Sequence, residues 1–486
     1  MRNTASRSLR RLALALPVFL AACGGGGGDG DGVASSCPSA AASGSVADRQ
    51  DWLRCYFNEN YLWYQLSPNP SPGGFATVET YFDALLYDGG DAIPGGGNAL
   101  WPADRYSGFQ STESFNRFFG DGRTLGYGAA VNGLEASEQN ATQLFIRYVE
   151  PLSPAARSVS LAGGLQRGDE ILFINNTPVA TLIAAKSGKG DYDALTANNV
   201  GDTLRLDVRR GPGPVVNVTL SAAEFGLTPV QSGQVVQSQG GRRIGYVFVK
   251  DMISQVETGS VSLSSTMSSF RNQGIDELVL DLRYNGGGLV SMGGTVASYA
   301  SGSPHNGKVY TRLLYNDKQS GNNQTFSFSN PGAWAGFPRV YVLMGERTCS
   351  ASEQVINGLR GVDVEVVAIG DTTCGKPVGF LPDDDGWGTT YSIVNFEGVN
   401  ARNEGRYFNG LAPTCAVAED LTQPIGDTGA GDGIGDPLLV AAAFHADNNG
   451  CPVSLTRESP SARQANPARS RYNGADGGER SGMSAR

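Results

Sequence analysis

From about residue 240 onward, apolar residues gather in short runs that end in glycine or a turn. Residues 244–249, 278–282, 340–344 and 364–369 read as strands, and the stretches between them carry helix-like apolar spacing or Gly-rich turns. This alternation predicts an α/β domain over residues 226–451, with a late helix over 436–444. Upstream the pattern changes. Between residues 47 and 122 aromatic and apolar positions such as Trp52, Tyr56, Tyr61, Tyr81, Phe82 and Leu85 recur at helical spacing, predicting a small helical domain with an aromatic core. Residues 123–225 alternate apolar and polar positions, as in 143–149 and 203–210, and predict a β-rich domain. Residues 23–46 are Gly, Asp, Ser and Ala and read as a flexible tether, while residues 452–486 have few apolar positions and are predicted to be a disordered tail.

One junction carries chemistry. Thr348-Cys349-Ser350-Ala351-Ser352-Glu353 follows the strand-like run 338–345 and opens a helix-like run through Gln354, Val355, Ile356 and Leu359. A serine at such a corner projects its Oγ, and the first helical amides stabilise an oxyanion beside it. Ser350 is the candidate nucleophile. The chain has two histidines, His305 and His445, neither in a motif-like setting, so a lysine is the better candidate base. The strand 364–370 and the turn Asp371-Thr372-Thr373-Cys374-Gly375-Lys376-Pro377 bring Lys376 back to the edge from which Ser350 projects. To accept a proton at neutral pH the lysine must be desolvated, and Pro377, Val378 and Phe380 supply apolar neighbours. Glu353 is read as stabilising the helix start, and Asp281 with Arg283 as a structural pair.

These residues resemble the C-terminal processing peptidases, or tail-specific proteases, whose nucleophile lies in a Ser-Ala-Ser-Glu stretch and whose base is a lysine in a Gly-Lys turn. Asp281-Leu282-Arg283-Tyr284-Asn285-Gly286-Gly287-Gly288 is similar to a third family segment. The resemblance implies a Ser350–Lys376 dyad, an oxyanion hole from the amides of Ala351 and Gly286 or Gly287, and a ββα-repeat core shared with the ClpP and crotonase folds. Where the family places a glutamine four residues after the lysine, this chain has Phe380, which leaves the third catalytic group open. The run Gly164-Leu165-Gln166-Arg167-Gly168-Asp169-Glu170-Ile171-Leu172-Phe173-Ile174-Asn175 resembles a PDZ domain. That resemblance implies recognition of protein or peptide substrates with exposed C-termini by the amides of Gly126, Tyr127 and Gly128. The expected activity is that of a serine endopeptidase. Two alternatives are a peptide-binding scaffold without activity and a crotonase-like enzyme acting on acyl thioesters.

Charge and cysteines narrow the setting. Arg2, Arg7, Arg10 and Arg11 precede an apolar run over 12–22 that ends in Leu20-Ala21-Ala22-Cys23-Gly24, which reads as a lipoprotein signal over 1–22 with lipidation at Cys23. Gly24 favours the outer membrane, so the expected location is the bacterial cell envelope, facing periplasm or exterior, with the membrane reached through Cys23. Residues 24–451 hold 27 basic against 44 acidic residues, near −17, which argues against nucleic acid. Six further cysteines in an exported chain suggest disulfides, and proximity pairs Cys37 with Cys55 and Cys415 with Cys451, leaving Cys349, just before the candidate nucleophile, with Cys374, two residues before the candidate base. No zinc-type spacing occurs, so no metal and no cofactor is expected.

Overall fold

In the computed structural model the apolar runs become the middle of a six-stranded sheet. Arg243–Val249, Glu277–Asp281, Arg339–Met344 and Glu365–Gly370 lie side by side in parallel, with Val230–Gln237 antiparallel at one edge and Cys415–Ala416 at the other. The structure describes residues 37–94, 99–131, 143–184, 195–333, 335–429, 435–453, 455 and 482–484. Cys23 and the expected signal therefore lie outside the described residues, as does the tether up to residue 36. Every residue of Glu277–Asp281 is buried, as expected of a strand covered on both faces. Val247, Leu278, Leu280, Val340 and Val342 face the helices Leu263–Gln273, Val290–Ser301 and Ala351–Gly361. Their neighbours Tyr246, Val279, Tyr341 and Leu343 face the helix Pro437–Asn448. The period-two alternation of strand side chains thus builds two cores from one sheet.

A second sheet runs Gly287–Leu289, Gly482–Ser484, Val378–Phe380, Val394–Val399, Val309–Tyr315 and Gln324–Ser327. Helix Ala351–Gly361 is caught between the sheets, with Gln354 Nε2 donating to Thr311 Oγ1 at 3.0 Å and Tyr310 and Phe396 in the same core. Most of the expected disordered tail lies outside the described residues, and within it residues 482–484 form a strand. Low apolar content gives a segment no side chains to bury, but strand pairing uses backbone groups that every residue but proline carries in full.

The aromatic spacing of the N-terminal part resolves into a core. Helices Val46–Asn60 and Val78–Leu85 bring Trp52, Phe57, Tyr61 and Phe82 together with Val378, Phe380, Tyr391 and Val394, so this core is shared with the second sheet. The β-rich region contains Ala129–Val131, Leu144–Val149, Glu170–Ile174, Thr203–Arg209 and Val215–Ser221 around Leu144, Ile146, Leu206 and Val218. Arg167 joins it to the α/β region, donating to Tyr284 Oη at 2.5 Å and to Glu419 Oε1 at 2.9 Å. All three expected disulfides are formed: Cys37–Cys55, Cys349–Cys374 and Cys415–Cys451. Among the described residues no helix is long and apolar enough to cross a membrane.

The Asp281–Arg283 pair is present and extends further than the sequence indicated. Buried Arg283 donates through Nε to both Asp281 oxygens at 2.9 Å and through Nη1 and Nη2 to Asp436 at 3.1 and 2.5 Å. Asp436 also accepts from the amides of Leu438 and Gly426, so one carboxylate caps the Pro437–Asn448 helix and neutralises a buried cation. Asp436→Ala is therefore expected to destabilise the fold by about 3–5 kcal/mol, the cost of leaving half of a buried ion pair, measured by urea denaturation.

Candidate active site

Ser350 sits at the N-cap of the Ala351–Gly361 helix with φ 60° and ψ −117°, a conformation that side-chain-bearing residues rarely adopt. Holding it there costs on the order of 1–3 kcal/mol, which the surroundings must offset. Three contacts do so: Ser350 N donates to Glu353 Oε2 at 2.8 Å, Cys349 N to Asn285 O at 3.0 Å, and Ser352 Oγ to the same carbonyl at 3.0 Å. The Ser350 hydroxyl oxygen is buried with no hydrogen-bond partner among the described residues. Across from it runs Gly287, with φ +106°. A Cβ there would stand 2.8 Å from Ser350 Cβ and 3.0 Å from Ala351 N, so only glycine allows this approach. The amide of Gly287 already donates to Asn285 Oδ1 at 2.9 Å. Those of Gly286 and Ala351 have no acceptor among the described residues, which turns the choice between the two glycines toward Gly286.

Lys376 reaches the same place from the turn after Glu365–Gly370. Its amide donates to Glu353 Oε2 and that of Gly375 to Glu353 Oε1, each at 2.8 Å, while Thr373 Oγ1 donates to Oε1 as well. One oxygen of a buried carboxylate thus accepts from the backbone of both Ser350 and Lys376. The disulfide between Cys349 and Cys374, Cα atoms 5.2 Å apart, ties the same two segments. Burial is the largest influence on the lysine and lowers its pKa to about 7, although the charges of Asp104 and Glu353 pull the other way. Its Nζ lies 4.0 Å from the centre of the Phe380 ring, the residue at the family's glutamine position, and 5.9 Å from that of Tyr106. Burial raises the Glu353 pKa, against the hydrogen bonds that favour its charged form.

Ser350, Ala351, Gly286, Gly287 and Lys376 are therefore gathered at one site. Gly126, Tyr127 and Gly128 lie elsewhere, at the end of the strand Arg123–Gly126 in the β-rich region. There the carbonyls of Tyr127 and Gly128 accept from Ala155 and Glu150, each at 2.9 Å, while their amides donate to no described residue. Sequence reasoning missed Asp104, Arg105 and Tyr106. Tyr106 Oη donates to Gly375 O at 2.7 Å and Arg105 Nη2 to Phe408 O at 2.9 Å, closing the lysine turn from the N-terminal region. No local signal marks these residues. The reach of Glu353 did have one, the Ser-x-x-Glu spacing of a capping box. Among the described residues the one group of possible metal ligands is Cys349, Glu353 and Cys374, and its two sulfurs are joined to each other.

Residues 243–413 match peptidase family S41, and residues 48–108 match the peptidase S41 N-terminal domain. The chain is 27% identical to a carboxyl-terminal-processing protease of Synechocystis over 255 residues, covering 51% of this chain and 55% of that one. It is 25% identical to carboxyl-terminal-processing peptidase 3 of Arabidopsis thaliana chloroplasts over 267 residues, covering 54% and 47%. In fold it is similar to an S41 protease of Bacteroides fragilis, with a TM-score of 0.60 and 24% identity over 82% of this chain and 97% of that one. The chain spans about half the length of the curated relatives it matches.

Glu353→Gln keeps the shape but turns an amide toward N–H groups that need an acceptor. Its expected cost is about 2 kcal/mol in urea denaturation. Labelling of Ser350 by a fluorophosphonate should slow more than this loss of stability accounts for, because both segments drift.

Proposed function

Because the chain belongs to the C-terminal processing peptidases of family S41, we propose that it is a serine endopeptidase working through a Ser350–Lys376 dyad. The observation that carries this reading is the single Glu353 carboxylate, which accepts from the Ser350 and Lys376 amides at 2.8 Å each and so sets a hydroxyl-bearing corner beside a lysine depressed to about 7. At neutral pH a large fraction of that lysine is the free amine. Ser350 Oγ attacks the peptide carbonyl as its proton passes to Lys376 Nζ. The amides of Ala351 and Gly286 receive the oxyanion, each donor contributing on the order of 3 kcal/mol. As the C–N bond breaks, Lys376 returns the proton to the leaving amine. Water then attacks the acyl ester, giving its proton to Lys376, and as the ester bond breaks Lys376 passes that proton to Ser350 Oγ, restoring the hydroxyl and the free amine. Phe380 stands where a glutamine would orient the base, and its ring face holds the ammonium instead.

Substrate choice and location are part of the same proposal. The unengaged amides of Tyr127 and Gly128 suit a peptide's terminal carboxylate, so the β-rich region selects substrates by a free C-terminus. Lipidation at Cys23 would hold the enzyme in the cell envelope, outer membrane favoured.

Hydrolysis of a reporter peptide should be lost in Ser350→Ala and in Lys376→Ala, with no further loss in the double variant, since the two groups act as one unit. Near-normal turnover in Lys376→Ala would overturn the dyad. The rate should fall on acidification through about pH 7, as Lys376 takes up its proton.

The same shift has a signature in stability. Below about pH 7 both folded and unfolded chains hold the lysine proton, and the folded chain bears the full cost of a buried ammonium. Between about 7 and 10.5 the unfolded chain binds the proton and the folded one does not, so stability rises with pH across that window. Lys376→Met should raise the melting temperature most at pH 6, with the gain fading toward pH 10. A gain independent of pH would mean that the lysine is not desolvated.

A further inference from the structure

The strands Gly287–Leu289 and Val378–Phe380 belong to one sheet but do not pair with each other. Between them lies Gly482–Ser484, parallel to the first, with Gly482 opposite Gly287, Met483 opposite Gly288 and Ser484 opposite Leu289. On its other side Ser484 pairs with Phe380. Beyond this segment, Gly287–Leu289 has a single parallel bridge, Gly288 to Met252, and Val378–Phe380 pairs with Val394–Val399. Without residues 482–484, two strand edges face each other across a slot one strand wide. Such edges present rows of unpaired N–H and C=O groups and take up an extended peptide by backbone pairing.

The slot leads past the candidate dyad from both walls. Gly287 on one wall is so near the nucleophile that its Cβ would lie 2.8 Å from that of Ser350. The other wall begins at Val378, two residues beyond Lys376. An extended peptide filling the slot runs beside both residues. We infer that this slot receives the peptide substrate and that residues 482–484 of the same chain are its built-in competitor, an inference that rests on the peptidase reading above.

Two features favour a competitor over a permanent part of the sheet. The segment pairs through three residues only. It is joined to the described body, which reaches residue 455, by more than twenty residues of chain. As part of the same chain the segment competes at an effective concentration of roughly millimolar, comparable with the weak affinity of so short a strand. Occupancy is then partial, and an incoming peptide displaces the segment at a cost of roughly three- to tenfold in apparent affinity.

The test uses the full chain carrying Ser350→Ala, so that no result depends on turnover. Gly482→Pro with Ser484→Pro removes two backbone donors and blocks strand pairing. Gly482→Ala with Ser484→Ala keeps the donors and serves as control. The proline pair should bind a fluorescent reporter peptide three- to tenfold more tightly than the control. Hydrogen exchange should also speed up at residues 287–289 and 378–380 and nowhere else. Unchanged affinity overturns the competitor, and unchanged exchange overturns the strand pairing itself. Hydrolysis by the Ser350-bearing chain is assayed separately. Its absence, with peptide binding still strengthened by the prolines, would remove the peptidase reading and leave the occupied slot standing.

Discussion

A buried carboxylate holds the candidate site together. Glu353 lies at the first turn of the Ala351–Gly361 helix, fully buried, and accepts from three backbone amides and one hydroxyl. Burial alone favours its neutral form, and these donors oppose that by stabilising the charge. The donors come from two segments separated by a helix and a strand, so neither the Ser350 corner nor the Lys376 turn can move without leaving a buried charge short of partners. The Cys349–Cys374 bond makes the same connection covalently, and the backbone strain at Ser350 persists because both constraints act on it.

The surroundings explain why the lysine is dry. The second sheet supplies Phe380, the N-terminal region supplies Tyr106, and the Cys349–Cys374 bond draws the corner against the turn. The aromatic core of the helices Val46–Asn60 and Val78–Leu85 includes Val378 and Phe380 directly after the lysine turn. An N-terminal region that looks separable along the chain is in space one wall of the site. Truncating it would hydrate the lysine as well as remove a helix.

Much of this was legible in the sequence, and the exceptions share a cause. The apolar runs gave the strands because a strand covered on both faces must be apolar at successive positions, and the corner at Ser350 followed from a strand, a short polar string and a helical pattern in that order. Two of the disulfides followed from proximity in sequence, and Cys349–Cys374 from what remained and from its position flanking the two candidate residues. Arg105 and Tyr106 were invisible because they meet the lysine turn across more than 260 residues of chain, through backbone carbonyls that leave no mark on local pattern, and Asp104 acts on the lysine across a similar separation by its charge. The strand at 482–484 was missed for a related reason. Its partners are backbone edges, and backbone hydrogen bonding is nearly independent of residue type, so composition could not distinguish that segment from a disordered one.

Phe380 has a consequence of its own. A glutamine holds a neighbouring amine by directional hydrogen bonds that survive loss of a proton. An aromatic face, 4.0 Å from Nζ, attracts the cation through its quadrupole and has almost no grip on the neutral amine. This one contact is thus switched by the lysine's own protonation. The ring attracts the ammonium and relaxes its hold on the amine, and each proton taken up restores the attraction.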